Sequence, residues 1–415
     1  MKMTLGRWKS RILNALGAEA LGSLFLSYAM LHLAYNLYAN LQGQYISTLL
    51  MRSTGGDGNI VKYYNMICFA MSGISMCVAS AFVRKRSVTA GTRLGLVFYM
   101  AGTGMFLIFM QRLAPVMPLI ALVNATGGGF YWIAYSMILS AYTEDGNRDR
   151  AMGFLSVICG FVTMVIPLAS GVILSAFGGS MAGYYLVFGM SFGMAVFTLL
   201  LSRKQKTLLA PSRETHFRQA LRTVTSTSLW RLALGAELLK GIREGTFAFF
   251  LNLLLFSLVS NEAVIGVNTV LVSLASILAA SLIGRLVRPG NRIRSMLLSV
   301  SVMMAGIVML FVSLNPVTII LFNILNSFVS LFLLNPAGSI FLMVVQKAPG
   351  AREMQSEIFG IREVWLNVGR IIGIVVTMVM PQSSLGNVAA MAILTVLQYG
   401  MVFCYSRVMK KVEQA

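Results

Sequence analysis

The sequence has little charge for its length and very little of one sign. Of 415 residues only 11% are charged, and 13 Asp and Glu face 33 Lys and Arg. A soluble domain carries about a quarter of its residues as charges, so no soluble domain is expected. Cysteine is scarce: Cys68, Cys77, Cys159 and Cys404 all lie in apolar stretches with no C-x-x-C spacing. That excludes a disulfide framework and a zinc site and leaves them as packing residues. Histidine occurs twice, as His32 and His216, and no Gly-x-x-x-x-Gly-Lys is present. Neither a metal-ligand cluster nor a nucleotide cradle follows, so no enzyme, no cofactor and no metal are expected.

What the chain has is long apolar runs. They fall near residues 24 to 50, 60 to 83, 93 to 111, 115 to 141, 151 to 177, 181 to 201, 232 to 259, 262 to 284, 294 to 314, 317 to 345, 358 to 380 and 387 to 406. Each is long enough to cross ~30 Å of hydrocarbon as a helix. Twelve crossings put both termini on one side. With the N-terminus inside, every Lys and Arg between the runs is cytoplasmic except Arg52, Lys62 and Arg112, a strong positive-inside bias. The basic opening segment, with Lys2, Lys9 and Arg11, is read as retained, because the apolar stretch after it is too long for a signal peptide. The net charge of +20 sits in short loops and not on a soluble face, so no nucleic acid is expected.

The most hydrophilic stretch lies between the sixth and seventh runs and divides the chain into residues 1–201, a basic linker 202–231, and residues 232–415. Its Thr215 to Trp230 portion is read either as a helix on the anionic inner leaflet or as a solvated linker. Four ionisable positions interrupt the seventh run, Glu237, Lys240, Arg243 and Glu244, and the eleventh carries Arg362, Glu363 and Arg370. Both contain Gly-Ile-Arg-Glu, at Gly241 to Glu244 and Gly360 to Glu363. A charge at mid-bilayer costs ~2.5 kcal/mol or more, so such residues face a partner or a wet cavity. At ~100° per residue Glu237 and Glu244 each reach Lys240 by i+3 and i+4 spacing. Across both runs Lys240, Arg243, Arg362 and Arg370 are matched by Glu237, Glu244, Glu357 and Glu363, so an anion site is not demanded.

Twelve spans, cytoplasmic termini and a basic central loop resemble the major facilitator superfamily over essentially the whole chain. That family's charged motif after the eighth span is echoed by Gly284, Arg285, Arg288, Pro289, Gly290, Asn291, Arg292 and Arg294, one residue short of the usual spacing. Its copy after the second span keeps Arg84, Lys85, Arg86 and Arg93 but lacks the acid. If the family's gating contact exists here, other residues supply it. The charged loops at Glu144 to Gly153 and at Arg352, Glu353 and Glu357 fit the family's 4–5 and 10–11 connections. Gating residues on this basis are Arg84, Arg86, Gly284, Arg288, Gly290 and Arg292.

The resemblance implies an all-α membrane protein of two pseudo-symmetric six-helix bundles, with a cavity lined by spans 1, 4, 7 and 10. Tyr28, His32, Asn36 and Asn40 recur every four residues on span 1. They read as cavity lining or as interhelical hydrogen-bond glue; His32 is either titrating or structural. Spans 4 and 10 add Asn124, Trp132, Tyr135, Asn323, Asn326 and Asn335. Gly127, Gly128 and Gly129 permit close helix approach or local unwinding. On span 5, Gly153, Pro167, Ser170 and Gly171 partly match an antiporter glycine series, with Val162 and Ile166 replacing two glycines; they read as that series or as ordinary helix packing.

The implied activity is secondary transport by alternating access in a bacterial inner membrane, by a monomer whose partners are a small-molecule substrate, protons and membrane lipids. Proton-coupled export of small organic or amphipathic compounds is the leading expectation, with proton symport of a sugar or organic anion as the alternative. A degenerate carrier serving as a scaffold or sensor is the reading from another class.

Overall fold

The computed structural model describes residues 21–55, 59–178, 180–258, 262–380 and 383–414. The basic opening segment lies outside them. Among them are thirteen α-helices: α1 Ser23–Ser53, α2 Asn59–Lys85, α3 Val88–Phe109, α4 Leu113–Tyr142, α5 Asp145–Ala176, α6 Met181–Ser202, α7 Phe217–Ser226, α8 Ser228–Leu258, α9 Glu262–Leu286, α10 Arg292–Val312, α11 Pro316–Lys347, α12 Gln355–Val379 and α13 Ser384–Glu413. All but α7 are long. The seventh span is thus α8, and the twelfth is α13.

Nothing in lipid satisfies a free backbone group, so each crossing is helical, and several begin at a side-chain cap. Ser87 accepts from Ala90 N at α3, Asn315 accepts from Val317 N and Thr318 N at α11, and Ser383 accepts from Gly386 N at α13. Glu144 and Asn147 close a capping box at α5. Nine helices are apolar enough along their described length to cross a membrane. The long helices outside that set are α1, α8 and α12. These hold the polar stripe and the intramembrane charges.

Within the second half, α8 and α12 cross closely through paired glycines. A methyl group on Gly241 would stand 2.0 Å from the Leu366 carbonyl oxygen, and one on Gly369 would stand 2.2 Å from that of Leu238. Gly245 and Gly373, one turn further along each helix, are equally tight at 2.6 Å and 2.3 Å from backbone oxygens. Small residues four apart on both helices permit this approach. Gly241→Ala or Gly369→Ala is therefore expected to lower thermal stability by about 1–3 kcal/mol or more, the cost of overpacking. Gly235→Ala, on the same helix with nothing within 4 Å, is the control; unfolding followed in detergent micelles reads all three.

The triple glycine of α4 serves close approach. A methyl on Gly129 would lie 2.0 Å from Ser75 Oγ of α2, one on Gly127 3.0 Å from the Gly95 carbonyl of α3, and the helix is continuous there. Gly153 and Gly160 of α5 likewise press against Ala280 and Ile277 of α9, whereas Gly171 meets nothing within 4 Å. Ser170 bonds the Ile166 carbonyl at 2.7 Å and Tyr45 Oη at 2.8 Å. The close glycine contacts on this helix are at Gly153 and Gly160, while at the Pro167 to Gly171 end it is Ser170 that is buried.

The two halves meet along α2 with α12 and along α5 with α9. A single large apolar cluster joins both halves toward the cytoplasm, through Val83, Met137, Leu139, Val344, Ile358 and Phe359 among others. Toward the outer face each half keeps its own cluster, one around Phe106, Ile120 and Phe188, the other around Ile307, Leu310 and Phe322. The structure is closed toward the cytoplasm.

The linker is strapped under the closed side. Val88 N donates to the Leu208 carbonyl at 2.9 Å, and Leu208 N donates to Thr89 Oγ1 at 2.9 Å. Within the Thr215 to Trp230 stretch, α7 buries Ala220 and Val224 against the second half and exposes Phe217 and Leu221.

Candidate functional site

A cavity of about 740 Å³ lies between the halves. Its two walls differ in chemistry. The first half contributes uncharged polar and aromatic side chains, among them Tyr38 and Gln42 of α1, Tyr64 of α2, Tyr99 of α3, and Asn124, Trp132 and Tyr135 of α4. The second half contributes Lys240 and Glu244 of α8, Asn335 of α11, and Arg362, Glu363 and Arg370 of α12.

The charges form one connected network. Glu237, fully buried behind the wall, holds Arg362 Nε at 2.9 Å and Lys240 at 3.5 Å and accepts from the Tyr405 hydroxyl. Glu244 lies 3.7 Å from Lys240 and 2.9 Å from Arg370. Arg370 also reaches Glu363 at 3.2 Å and Asn367 Oδ1 at 2.8 Å. Within this network Lys240, Arg362 and Arg370 balance Glu237, Glu244 and Glu363. Arg243 stands apart: it points into the second half, bonds Asn326 Oδ1 at 2.6 Å and lies 4.3 Å from the centre of the Phe247 ring. Its Nε has no hydrogen-bond partner, and no carboxylate lies within 4.0 Å of it, among the described residues. Glu357, which a count along the chain assigns to this balance, is elsewhere.

It sits in the first of two buried ion-pair clusters, or locks, that join the halves on the cytoplasmic side. Arg84, at the end of α2, bonds the Glu357 carboxylate and the Glu353 carbonyl. It also reaches Ser356 Oγ at 2.7 Å and the linker carbonyls of Ser212 at 3.2 Å and Glu214 at 2.9 Å. His216 N completes the contact by donating to Glu357 Oε1 at 2.9 Å. In the second lock Arg292, opening α10, bonds Asp149 Oδ2 at 2.7 Å and Asp145 Oδ1 at 2.7 Å at the start of α5. Arg148 adds bonds to the Ser339 carbonyl at 3.3 Å and to Gln346 of α11. Thus the end of α2 is tied to the start of α12, and the start of α5 to the start of α10.

Of the residues expected to line the cavity, Asn124, Trp132, Tyr135 and Asn335 do, and Tyr28, His32, Asn36, Asn40, Asn323 and Asn326 do not. Asn36 and Asn40 turn back to donate to the carbonyls of His32 and Asn36 one turn earlier, at 2.7 and 3.0 Å. Tyr28 belongs to the cytoplasmic core, and Asn326 holds Arg243. Asn323 is buried within α11. His32 stacks among Tyr28, Tyr35, Tyr131 and Tyr135, is 2.8 Å from Tyr131 Oη, and faces a smaller space of about 340 Å³ toward α5 and α9. Trp132, Tyr135, Met152 and Asn335 border both spaces.

Of the expected gating residues, Arg84 and Arg292 are in the locks. Gly284 packs on Arg150, where a methyl would lie 3.3 Å from its Cα. Arg86, Arg288 and Gly290 are exposed; around Arg288 and Gly290 the motif turns through one 3-10 turn, Pro289–Asn291. Asp145, Asp149, Arg148 and Glu357 are the lock partners that a list of gating residues omits; their only signal in sequence is charge at a loop end, and loop charges are usually solvated.

The Major Facilitator Superfamily model matches residues 24–374, and the chain belongs to that family. YqgE, an uncharacterised protein of Bacillus subtilis (strain 168), is 25% identical over 344 residues, which cover 82% of this chain and 78% of YqgE. Among solved structures, FucP in the outward conformation is similar with a TM-score of 0.72 at 13% identity, over 92% of this chain and 98% of FucP. A bacterial homologue of the iron transporter ferroportin, outward-facing, is similar with a TM-score of 0.69 at 14% identity, over 95% and 100%. The fold is that of a twelve-span transporter, and the protein is a multi-pass integral membrane protein of a transporter family.

Proposed function

We propose that this chain, placed in the inner membrane of a bacterium, is a proton-coupled secondary transporter that carries small organic solutes through the cavity between residues 1–201 and residues 232–415. The two halves rock about the α2–α12 and α5–α9 contacts, and the Arg84 and Arg292 locks close the cytoplasmic side when the cavity faces outward. One observation carries the coupling: Glu244 lines the cavity and is shared between Lys240 of its own helix and Arg370 of the next. A carboxylate so placed exchanges its cation partners for a proton as the helices shift, which makes proton binding and the conformational change one equilibrium.

The glycine series of α5 matches the antiporter pattern only in part and does not fix the direction. Direction is therefore read by experiment. Purified protein in liposomes, given a radiolabelled solute identified by binding, is expected to accumulate or expel it against its gradient when a pH difference is imposed. Acid outside driving uptake marks symport; acid outside driving efflux marks antiport. Transport indifferent to the pH difference removes the coupling, and the absence of any transport by folded protein favours the scaffold reading.

A further inference from the structure

The charge balance at the cavity changes once side chains are placed. Four cations belong to α8 and α12 near mid-membrane, Lys240, Arg243, Arg362 and Arg370, but Glu357 is held by Arg84 at the cytoplasmic end. Three carboxylates remain, Glu237, Glu244 and Glu363, so among the described residues the interior around the cavity carries one positive charge in excess. Arg243 is its source, being 3% exposed and held by an amide oxygen, a thioether and an aromatic face. Buried charges interact strongly because little water screens them, and an uncompensated one is costly. Arg243 does not itself line the cavity, but the next residue, Glu244, does, so a mobile counter-charge can enter close to it. On its wall Lys240 and Arg370 present N–H groups that Glu244 only shares, while Trp132 and Tyr135 present aromatic surface from the opposite wall.

We infer that the solute this cavity takes is an organic anion. Its acidic group lies against Lys240 and Arg370, where a charge-assisted, two-pronged contact suits a carboxylate or phosphate, and its ring or apolar body packs on Trp132 and Tyr135. The space of about 740 Å³ is within the range of small-molecule sites. This rests on the transport reading only in taking the cavity as the solute site.

The test is binding by the purified full-length chain in detergent, followed as a ligand-induced rise in melting temperature. Three matched sets are used: phenylacetate, its amide and benzylamine; hexanoate, its amide and hexylamine; gluconate, glucose and glucosamine. At least one acid is expected to stabilise the protein while its neutral and cationic counterparts do not. Arg243→Gln is expected to weaken that acid at least tenfold, and Arg243→Lys, which restores the charge, to recover it. Neutral or cationic members binding as well as the acids overturn the inference, as does failure of every acid at millimolar concentration. The comparison within the unaltered protein decides the matter even if Arg243→Gln fails to fold. Acid-selective binding with no pH-driven transport supports this inference and removes the coupling proposed above.

Discussion

Replacing Arg84 by alanine is expected to open the cytoplasmic face. In the closed state the guanidinium is fully buried and bonds Glu357, Ser356 and three backbone carbonyls. Its removal leaves a buried carboxylate with, among the described residues, only the His216 amide and the Ser356 hydroxyl as donors. Breaking one side of a buried pair costs about 3–5 kcal/mol, and the cost falls on the closed state alone, since Glu357 becomes hydrated when the halves part on that side. The equilibrium between the two states is expected to shift more than ~100-fold. The measurement is labelling of Ser140→Cys, buried at the interface beside Gln355, by a membrane-impermeant maleimide in inside-out vesicles of a protein lacking its native cysteines. Labelling should accelerate at least tenfold on adding Arg84→Ala. An unchanged rate in folded protein would show that this lock does not hold the face shut.

Glu244→Gln is expected to separate movement of the solute from movement of the proton. Glutamine fills the same space, and neither cation is stranded, because Lys240 keeps Glu237 at 3.5 Å and Arg370 keeps Glu363 at 3.2 Å. Folding should therefore survive. What disappears is the titrating group, so accumulation driven by a pH difference should fall to background while exchange of labelled for unlabelled solute stays within about tenfold of the original. Glu237→Gln is expected to behave otherwise. Among the described residues Glu237 is the carboxylate that pairs with Arg362, and its loss strands a buried cation, which lowers stability by about 3–5 kcal/mol. Melting temperature alongside the two transport assays distinguishes them; pH-driven accumulation by Glu244→Gln would place the coupling proton elsewhere.

How far the chain could be read in advance depended on whether an interaction is local. Crossings and their sidedness follow from hydropathy and loop charge, and the i+3 and i+4 pairing of Glu237 and Glu244 with Lys240 follows from helix geometry alone. The two locks do not, because Arg84 meets Glu357 and Arg292 meets Asp149 only when the halves close, and nothing local ties such distant positions. Hence the matched count of cations and acids on spans 7 and 11 does not describe the cavity: Glu357 is on the right helix, five residues before Arg362 of the cavity wall, but is held by Arg84. The span 1 stripe is a different case. A four-residue repeat identifies a face but not its neighbour, and Asn36 and Asn40 satisfy their own helix while Tyr38 and Gln42 reach the cavity. The glycine pairs of α8 and α12 were visible as residues, yet the opposing backbone that makes them indispensable was not.

The account rests on two halves that close one face as they open the other. Distances between spin labels test this most directly, with one pair at Arg86 and Arg352 on the cytoplasmic side and another at Arg112 and Val312 on the outer side, all exposed positions. Two populations are expected at each pair, and conditions that lengthen one distance, such as Arg84→Ala or saturating solute, should shorten the other. A single unchanging distance on either face under all these conditions would contradict it.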